Sequence, residues 1–326
     1  MKIAIFGAGA IGGFLGTRLA QSGCDVAAIA RGATAAALRT HGWRLKSRDA
    51  VIVAPARVVE KPSELGPQDL VVVAVKGPAL ASVAEAISPL LGRETIVMTA
   101  MNGVPWWFFQ QFGGEYAGTQ LASIDPDGAI AANISPRHVI GCVVHASCAA
   151  PEPGLAQHNM GNRLIIGEPS GGNSPRVRAL AETLRHAGFE VEVSACIQRD
   201  VWYKLWGNMT MNPVSALTGA TVDRVLDDPL INDFCLEVMR EAAAIGARIG
   251  CPIEQSGQDR IAITRKLGSF KTSMLQDVEA GKPVEIDVLL SAVREIGQKV
   301  GLRTPQLDAL LGLSRLQART RGLYPG

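Results

Sequence analysis

The apolar positions of this chain change rhythm near residue 195. Before that point, short uninterrupted apolar runs alternate with stretches of helical period. Lys2 to Phe6 reads as a buried strand, Gly7 to Gly12 as a glycine-rich turn, Ala10 to about Gln21 as a helix stopped by Gly23, and Asp25 to Ala30 as a second strand. Strand, tight turn, helix and strand within about 30 residues make a βαβ unit, with parallel strands and a right-handed crossover. Leu70 to Val75 (LVVVAV) is apolar throughout, as expected of a strand covered on both faces. Ala79 to Leu91 reads as a helix and Thr95 to Thr99 as a further strand. Strands around Val139 to Cys148 and Arg163 to Gly167 follow. Then comes a helix to Ala187, with Ser174 as N-cap and Pro175 at its first position, and a last strand from Phe189 to Val193.

From about Ile197 strand-like runs vanish and helical periodicity dominates. It is punctuated at Pro213, at Pro229, at Gly250-Cys251-Pro252, at Gly281-Lys282-Pro283, and at Gly301 with Pro305. The pattern predicts an α/β fold: an N-terminal Rossmann-type doubly wound sheet over residues 1–195, and an all-helical C-terminal domain over 196–326. A chain of 326 residues suits two cores better than one. No internal repeat or low-complexity linker separates them.

Composition narrows the class. With 47% hydrophobic and 19% charged residues the chain is globular rather than disordered. A net charge of +2 argues against nucleic acid or a membrane surface as a general partner, so any cationic site must be local. The six cysteines show no CxxC pair and no metal-ligand rhythm, so reduced thiols are expected and no metal. The apolar N-terminus is broken by glycines and leads straight into a helix, unlike a secretory leader, and no run reaches the ~18 apolar residues of a spanning helix. A soluble cytoplasmic protein is the expectation. A homodimer is compatible with the pattern, though no heptad or exposed apolar stripe demands one.

The first candidate chemistry lies in Gly7-Ala8-Gly9-Ala10-Ile11-Gly12, a GxGxxG motif. The pattern alone is common, but here it follows a strand and opens a helix, the context in which it binds a dinucleotide. Gly7 permits the tight turn, Gly9 lets a pyrophosphate approach the backbone, and Gly12 lets helix and strand pack closely. The helix N-terminus offers free N–H groups and the positive end of its dipole. The second strand ends Ala-Ile-Ala and is followed by Arg31, with no carboxylate to bond both ribose hydroxyls. Arg31 suits the 2′-phosphate of NADP, and Lys76, closing the next strand, adds to such a pocket; a solvated surface arginine is the plainer alternative. Asn102-Gly103 follows the strand ending at Thr99. Asn102 is placed either to orient a nicotinamide or substrate, or simply as a turn asparagine.

A second constellation lies in Asp200 to Pro213, DVWYKLWGNMTMNP. Lys204, Asn208 and Asn212 recur at i, i+4 and i+8 and so share one helix face, while Trp202, Trp206 and Met209 fall roughly opposite. Asparagine is a poor helix former, so two in line beneath a lysine suit a polar lining for a bound molecule; a hydrogen-bond network between domains is the alternative. Further on, Pro283 is expected to start a helix after Gly281, with Glu285 in its first turn. The helix dipole alone favours a carboxylate there, and chain spacing cannot join it to Lys204.

These segments together resemble the ketopantoate reductase family along the whole chain: GAGAIGG after the first strand, Arg31 after the second, VAVK, the NG at 102, KLxxNxxxNPxSALTG from Lys204 and SMLQDxxxGxxxEID from Ser273. The last two blocks are far more specific than the glycine motif. The resemblance implies NADPH-dependent reduction of 2-dehydropantoate to pantoate, in pantothenate biosynthesis. It casts Lys204 as the catalytic general acid and Glu285 as its partner, holding the substrate hydroxyl. Asn208, Asn212 and Ser273 become substrate-binding positions. It places Asn102 beside the nicotinamide, and Arg31 and Lys76 on the NADP phosphate. The sequence departs from the family at Ala79, where members carry glutamine, at Met101, often Lys or Gln, and in the aromatic Val104-Pro-Trp-Trp-Phe-Phe. Beside a substrate crevice those rings would favour a more apolar 2-keto acid, so the rivals are a related dehydrogenase of such an acid and a non-catalytic NADP sensor.

Overall fold

The computed structural model describes residues 1–48 and 50–325. The chain forms two compact units, one of Met1–Met101 with Asp127–Asp200, the other of Asn102–Pro126 with Val201–Gly326. The sequence reading left residues 102–126 in the first domain. They fold with the helices instead, because Val104 and the four aromatic residues 106–109 supply that unit with core side chains.

The first unit runs β1 (Lys2–Phe6), α1 (Ala10–Gln21), β2 (Asp25–Ile29), α2 (Gly32–His41), β3 (Trp43–Ser47), β4 (Ala50–Ala54), β5 (Arg57–Val59), β6 (Gln68–Val73), α3 (Leu80–Ala86), β7 (Leu91–Thr99), α4 (Ala129–Asn133), β8 (Val139–Glu152), β9 (Leu155–Gly167), α5 (Pro175–His186) and β10 (Glu190–Val193). The strands form one sheet in the order β4-β3-β9-β8-β7-β6-β1-β2-β5, with β10 also paired to β9. Its parallel portion, β5-β2-β1-β6-β7-β8, is the 3-2-1-4-5-6 arrangement of a doubly wound nucleotide-binding sheet. The order reverses between β1 and β6. Ligand crevices of such sheets open at that point, beyond the carboxyl ends of the strands.

Two antiparallel pairs, β8·β9 and β3·β4, extend the sheet beyond β7, and β3 joins β9 in parallel. Helix α1 packs on strands from both ends of the strand order, so the sheet curls around it. Phe14, Leu15 and Leu19 of α1 are fully buried there. Gly16 is the contact with Trp43 of β3: a Cβ on it would stand 2.7 Å from the indole ring. Helix α5 starts where expected, Ser174 Oγ accepting from the Val177 N–H.

The second unit takes the part of α6 (Ile197–Thr218) from Val201 onward, then α7 (Val222–Asp227), α8 (Pro229–Arg248), α9 (Gly257–Arg265), α10 (Ser273–Glu279), a π-helical turn at Asp287–Ser291 leading into α11 (Ala292–Lys299), and α12 (Pro305–Thr320). Pro213 does not end α6; it only removes the bond its N–H would have donated to the Met209 carbonyl. Trp202 and Trp206 donate their indole N–H groups to the Ala242 and Met239 carbonyls of α8, at 3.3 and 2.7 Å. Phe108 lies 6.0 Å from Trp202 and 5.0 Å from Phe109, ring to ring. The aromatic run is therefore core. Among the described residues no helix is long and apolar enough to cross a membrane.

Candidate active site

In the first unit the glycine motif stands at the switch point of the sheet. Gly7 has φ +87°, and a Cβ on it would lie 2.7 Å from the Ala74 carbonyl oxygen beyond β6. Gly12 is equally constrained, since its Cβ would fall 1.9 Å from the Gly7 carbonyl oxygen. Gly9 is the opposite case. It is the N-cap of α1, no side chain caps the helix, and a Cβ there would meet nothing within 4 Å. The turn, with Ala8 buried between its first two glycines, thus keeps an open cradle over the N–H groups of Ala10, Ile11 and Gly12, at the positive end of a three-turn helix. That suits a dinucleotide pyrophosphate.

Arg31 is exposed, directly before α2, and Lys76 is exposed at the turn after β6. Both stand beyond the carboxyl ends of strands flanking the switch point. No carboxylate occupies the end of β2, which reads DVAAI.

In the second unit the polar stripe of α6 gathers residues from three separate segments. Lys204 is half-buried and its Nζ donates to Asn102 Oδ1 at 2.9 Å. Asn212, buried one turn beyond Asn208, donates from Nδ2 to Ser273 Oγ at 3.4 Å. Ser273 begins α10, and Thr272 caps that helix by accepting from the Leu275 N–H. Asn208 is half-buried between them on the same face.

The Asn102 loop is seated by its own backbone. The Val104 N–H donates to the Val288 carbonyl at 2.9 Å. Val288 lies in the π-helical turn, whose wider hydrogen-bond spacing turns carbonyls outward, a device common at functional sites. Gly103 has φ +80° and a Cβ on it would be 2.5 Å from the same carbonyl oxygen. Val288 was not singled out from the sequence; the Asn102-Gly103 dipeptide was the one trace of this junction.

Glu285 is buried, 8% exposed. It does not sit in a first helical turn, as expected from Pro283: residues 282–285 form no regular element and the helix begins at Ile286. Glu285 thus enters the π-helical turn that seats Asn102, the turn's first residue lying two positions on. Among the described residues no cluster of metal-ligating side chains is present.

A dinucleotide-type sheet with a lysine-bearing helical unit defines a Rossmann dehydrogenase. The comparisons name the family. The ketopantoate reductase PanE/ApbA profile matches residues 3–171 and its C-terminal counterpart matches 196–318, so the chain belongs to the ketopantoate reductase family. It is 46% identical over 325 residues to the 2-dehydropantoate 2-reductase of Mesorhizobium japonicum, covering 99% of this chain and 100% of that one. A crystal structure of a candidate ketopantoate reductase from Ralstonia solanacearum MolK2 shares 58% identity and a TM-score of 0.96, covering 99% of each chain. A D-mandelate dehydrogenase solved with NADH and anilino(oxo)acetate has the same fold, at 21% identity and a TM-score of 0.85, covering 99% of this chain and 100% of that one.

Proposed function

We propose that this chain reduces 2-dehydropantoate to pantoate with NADPH. The observation that carries the reading is Lys204, held by Asn102 on the face of α6 that also presents Asn208 and Asn212. When bound, the nicotinamide supplies a hydride to the 2-keto carbon. As negative charge gathers on the keto oxygen, Lys204 stabilises it and donates the proton. Asn102 fixes the ammonium without neutralising it, since an amide oxygen carries no net charge. Asn208, Asn212 and Ser273 orient the substrate through hydrogen bonds, and Glu285 holds its distal hydroxyl. The pyrophosphate is held by the Gly7–Gly12 turn, and Arg31 and Lys76 take the 2′-phosphate.

In the sequence, the aromatic run and Ala79 motivate a bulkier, more apolar acid. The rings of that run fill the interior of the helical unit, which leaves Ala79 as the one feature behind that reading. The test is the rate of cofactor oxidation with 2-dehydropantoate beside a panel of bulkier 2-keto acids, each with NADPH and with NADH. Preference for 2-dehydropantoate and NADPH supports the proposal. Turnover only of a bulkier acid changes the substrate, and no turnover despite tight NADPH binding favours a sensor.

A further inference from the structure

The segment that follows α12 has no part in the chemistry described so far, yet it meets the chain on both sides of Glu285. Helix α12 stops at Thr320 because Gly322, at φ +67°, turns the backbone out of the helix. The Leu323 N–H returns to the Ala318 carbonyl at 2.8 Å and the Gly322 N–H to the Arg319 carbonyl at 3.0 Å. These two bonds make a Schellman motif, which reverses the chain against its own helix. Leu323 is buried, and its carbonyl accepts from the Val284 N–H at 3.2 Å. Tyr324, next in the chain, donates its hydroxyl to Asp287 Oδ1 at 2.6 Å. One contact thus falls one position before Glu285 and the other two positions after it.

Both ends of the tyrosine contact are held in place. Arg319 Nε donates to the Pro325 carbonyl at 3.0 Å, and its Cζ lies 5.6 Å from the Tyr324 ring centroid, so α12 steadies the ring. Asp287 also accepts from Ser291 Oγ at 2.9 Å, one turn further along the π-helical segment, so its carboxylate is oriented from a second side. Burial, joined by the bond to Asp287 and its charge, pushes the Tyr324 hydroxyl up to about 12. It therefore remains a donor at neutral pH. Residues 282–285 form no regular element, so the backbone leading to Glu285 is fixed from outside. A carboxylate that has to meet one substrate hydroxyl depends on such fixing, because a small misplacement costs the contact.

The geometry points to Tyr324 as a positioning residue: by binding Asp287 it sets the Glu285 carboxylate where the distal hydroxyl of the substrate arrives. The inference rests on the reading above, in which Glu285 holds that hydroxyl. It gives the segment after α12 a part in choosing the substrate, since the latch favours a 2-keto acid with a hydroxyl over the same acid without one.

The test is steady-state kinetics of wild type, Y324F, E285A and Y324F/E285A with NADPH and two acids. One is 2-dehydropantoate; the other, 3,3-dimethyl-2-oxobutanoate, differs from it only in lacking the hydroxyl. Y324F should lower kcat/KM for 2-dehydropantoate at least about tenfold, mostly through KM, and leave that for the hydroxyl-free acid within about twofold. In the E285A background the same substitution should cost less than about twofold on either acid, because the group it positions is gone. Equal losses on both acids, or losses that simply multiply in the double variant, overturn the inference; that is the behaviour of a brace for folding alone. So does an unchanged kcat/KM in Y324F. If Y324F does not fold, D287N carries the test, since it replaces the accepting carboxylate by a weaker amide. Its loss should then be confined to 2-dehydropantoate, and no loss, or an equal one on both acids, overturns the inference. An E285A that loses equally on both acids marks the failure of the underlying reading, and the inference falls with it.

Discussion

Lys204 and Asn102 stand 102 positions apart in the chain and are joined by a 2.9 Å hydrogen bond from ammonium to amide oxygen. The bond ties the middle of α6 to a loop that enters the helical unit from the end of β7. That loop in turn rests on the Val288 carbonyl of the π-helical turn, whose first residue, Asp287, lies two positions after Glu285. Three of the residues proposed to act on substrate thus share one backbone junction. Their relative positions depend on groups that never touch a ligand.

Gly103→Ala tests that junction. The substitution meets both a φ of +80° and a Val288 oxygen 2.5 Å from the new Cβ. The expected cost is about 1–3 kcal/mol of stability, with a kcat loss of at least about tenfold as Asn102 is pushed from Lys204. Thermal melting and steady-state rates check both. Full kcat with a lowered melting temperature would show that the junction serves folding alone.

Arg31→Ala addresses cofactor choice. Arg31 is exposed at the end of β2, where no carboxylate competes for the ribose. The KM for NADPH should rise at least about tenfold while that for NADH stays within about twofold. Initial rates with both cofactors decide it, and equal losses would remove the phosphate contact from the account.

Glu168→Gln addresses stability and its pH dependence. Burial pushes the Glu168 carboxyl up, but hydrogen bonds from Arg176 and Ser174 and the Arg176 charge outweigh it, and the net shift is downward from the usual 4.5. Arg176 Nε and Nη2 reach the two carboxylate oxygens at 2.8 and 2.5 Å, and Arg176 also donates to the Val139 carbonyl. The clamp ties the start of α5 to β8 and the end of β9. Because the folded value is depressed, the stabilisation is present above the unfolded value of about 4.5 and is lost as pH falls through the folded one. The variant should be less stable by about 2–3 kcal/mol near neutrality, with the gap to wild type narrowing as pH falls below the usual carboxylate value of 4.5. Denaturant titrations across that range check it; a constant gap would contradict the assignment.

The glycine motif, its strand and its helix were legible because they are local: a five-residue strand with four residues buried, a tight turn and one helix face. The polar stripe of α6 was legible for the same reason, its spacing being fixed by the helix itself. Strands β3 and β4 were not, since WRLKS and AVIVA find their partners in each other and in β9, more than 100 residues on. No turn or period announces such pairing. The place of residues 102–126 was equally hidden, because a run of aromatic residues reads alike as pocket wall and as core. Pro213 misled in the other direction: packing of Trp202, Trp206 and Met209 carries α6 past a residue that would stop an isolated helix. The pairing of Lys204 with Asn102 had no signal in the spacing at all.

The most direct test of the account is a single-turnover reaction of enzyme preloaded with NADPH and mixed rapidly with 2-dehydropantoate, for wild type and Lys204→Ala. The account predicts fast cofactor oxidation in wild type, and in the variant a rate at least about 100-fold lower with NADPH affinity unchanged. Near-equal rates in the two proteins would contradict the central claim that Lys204 delivers the proton.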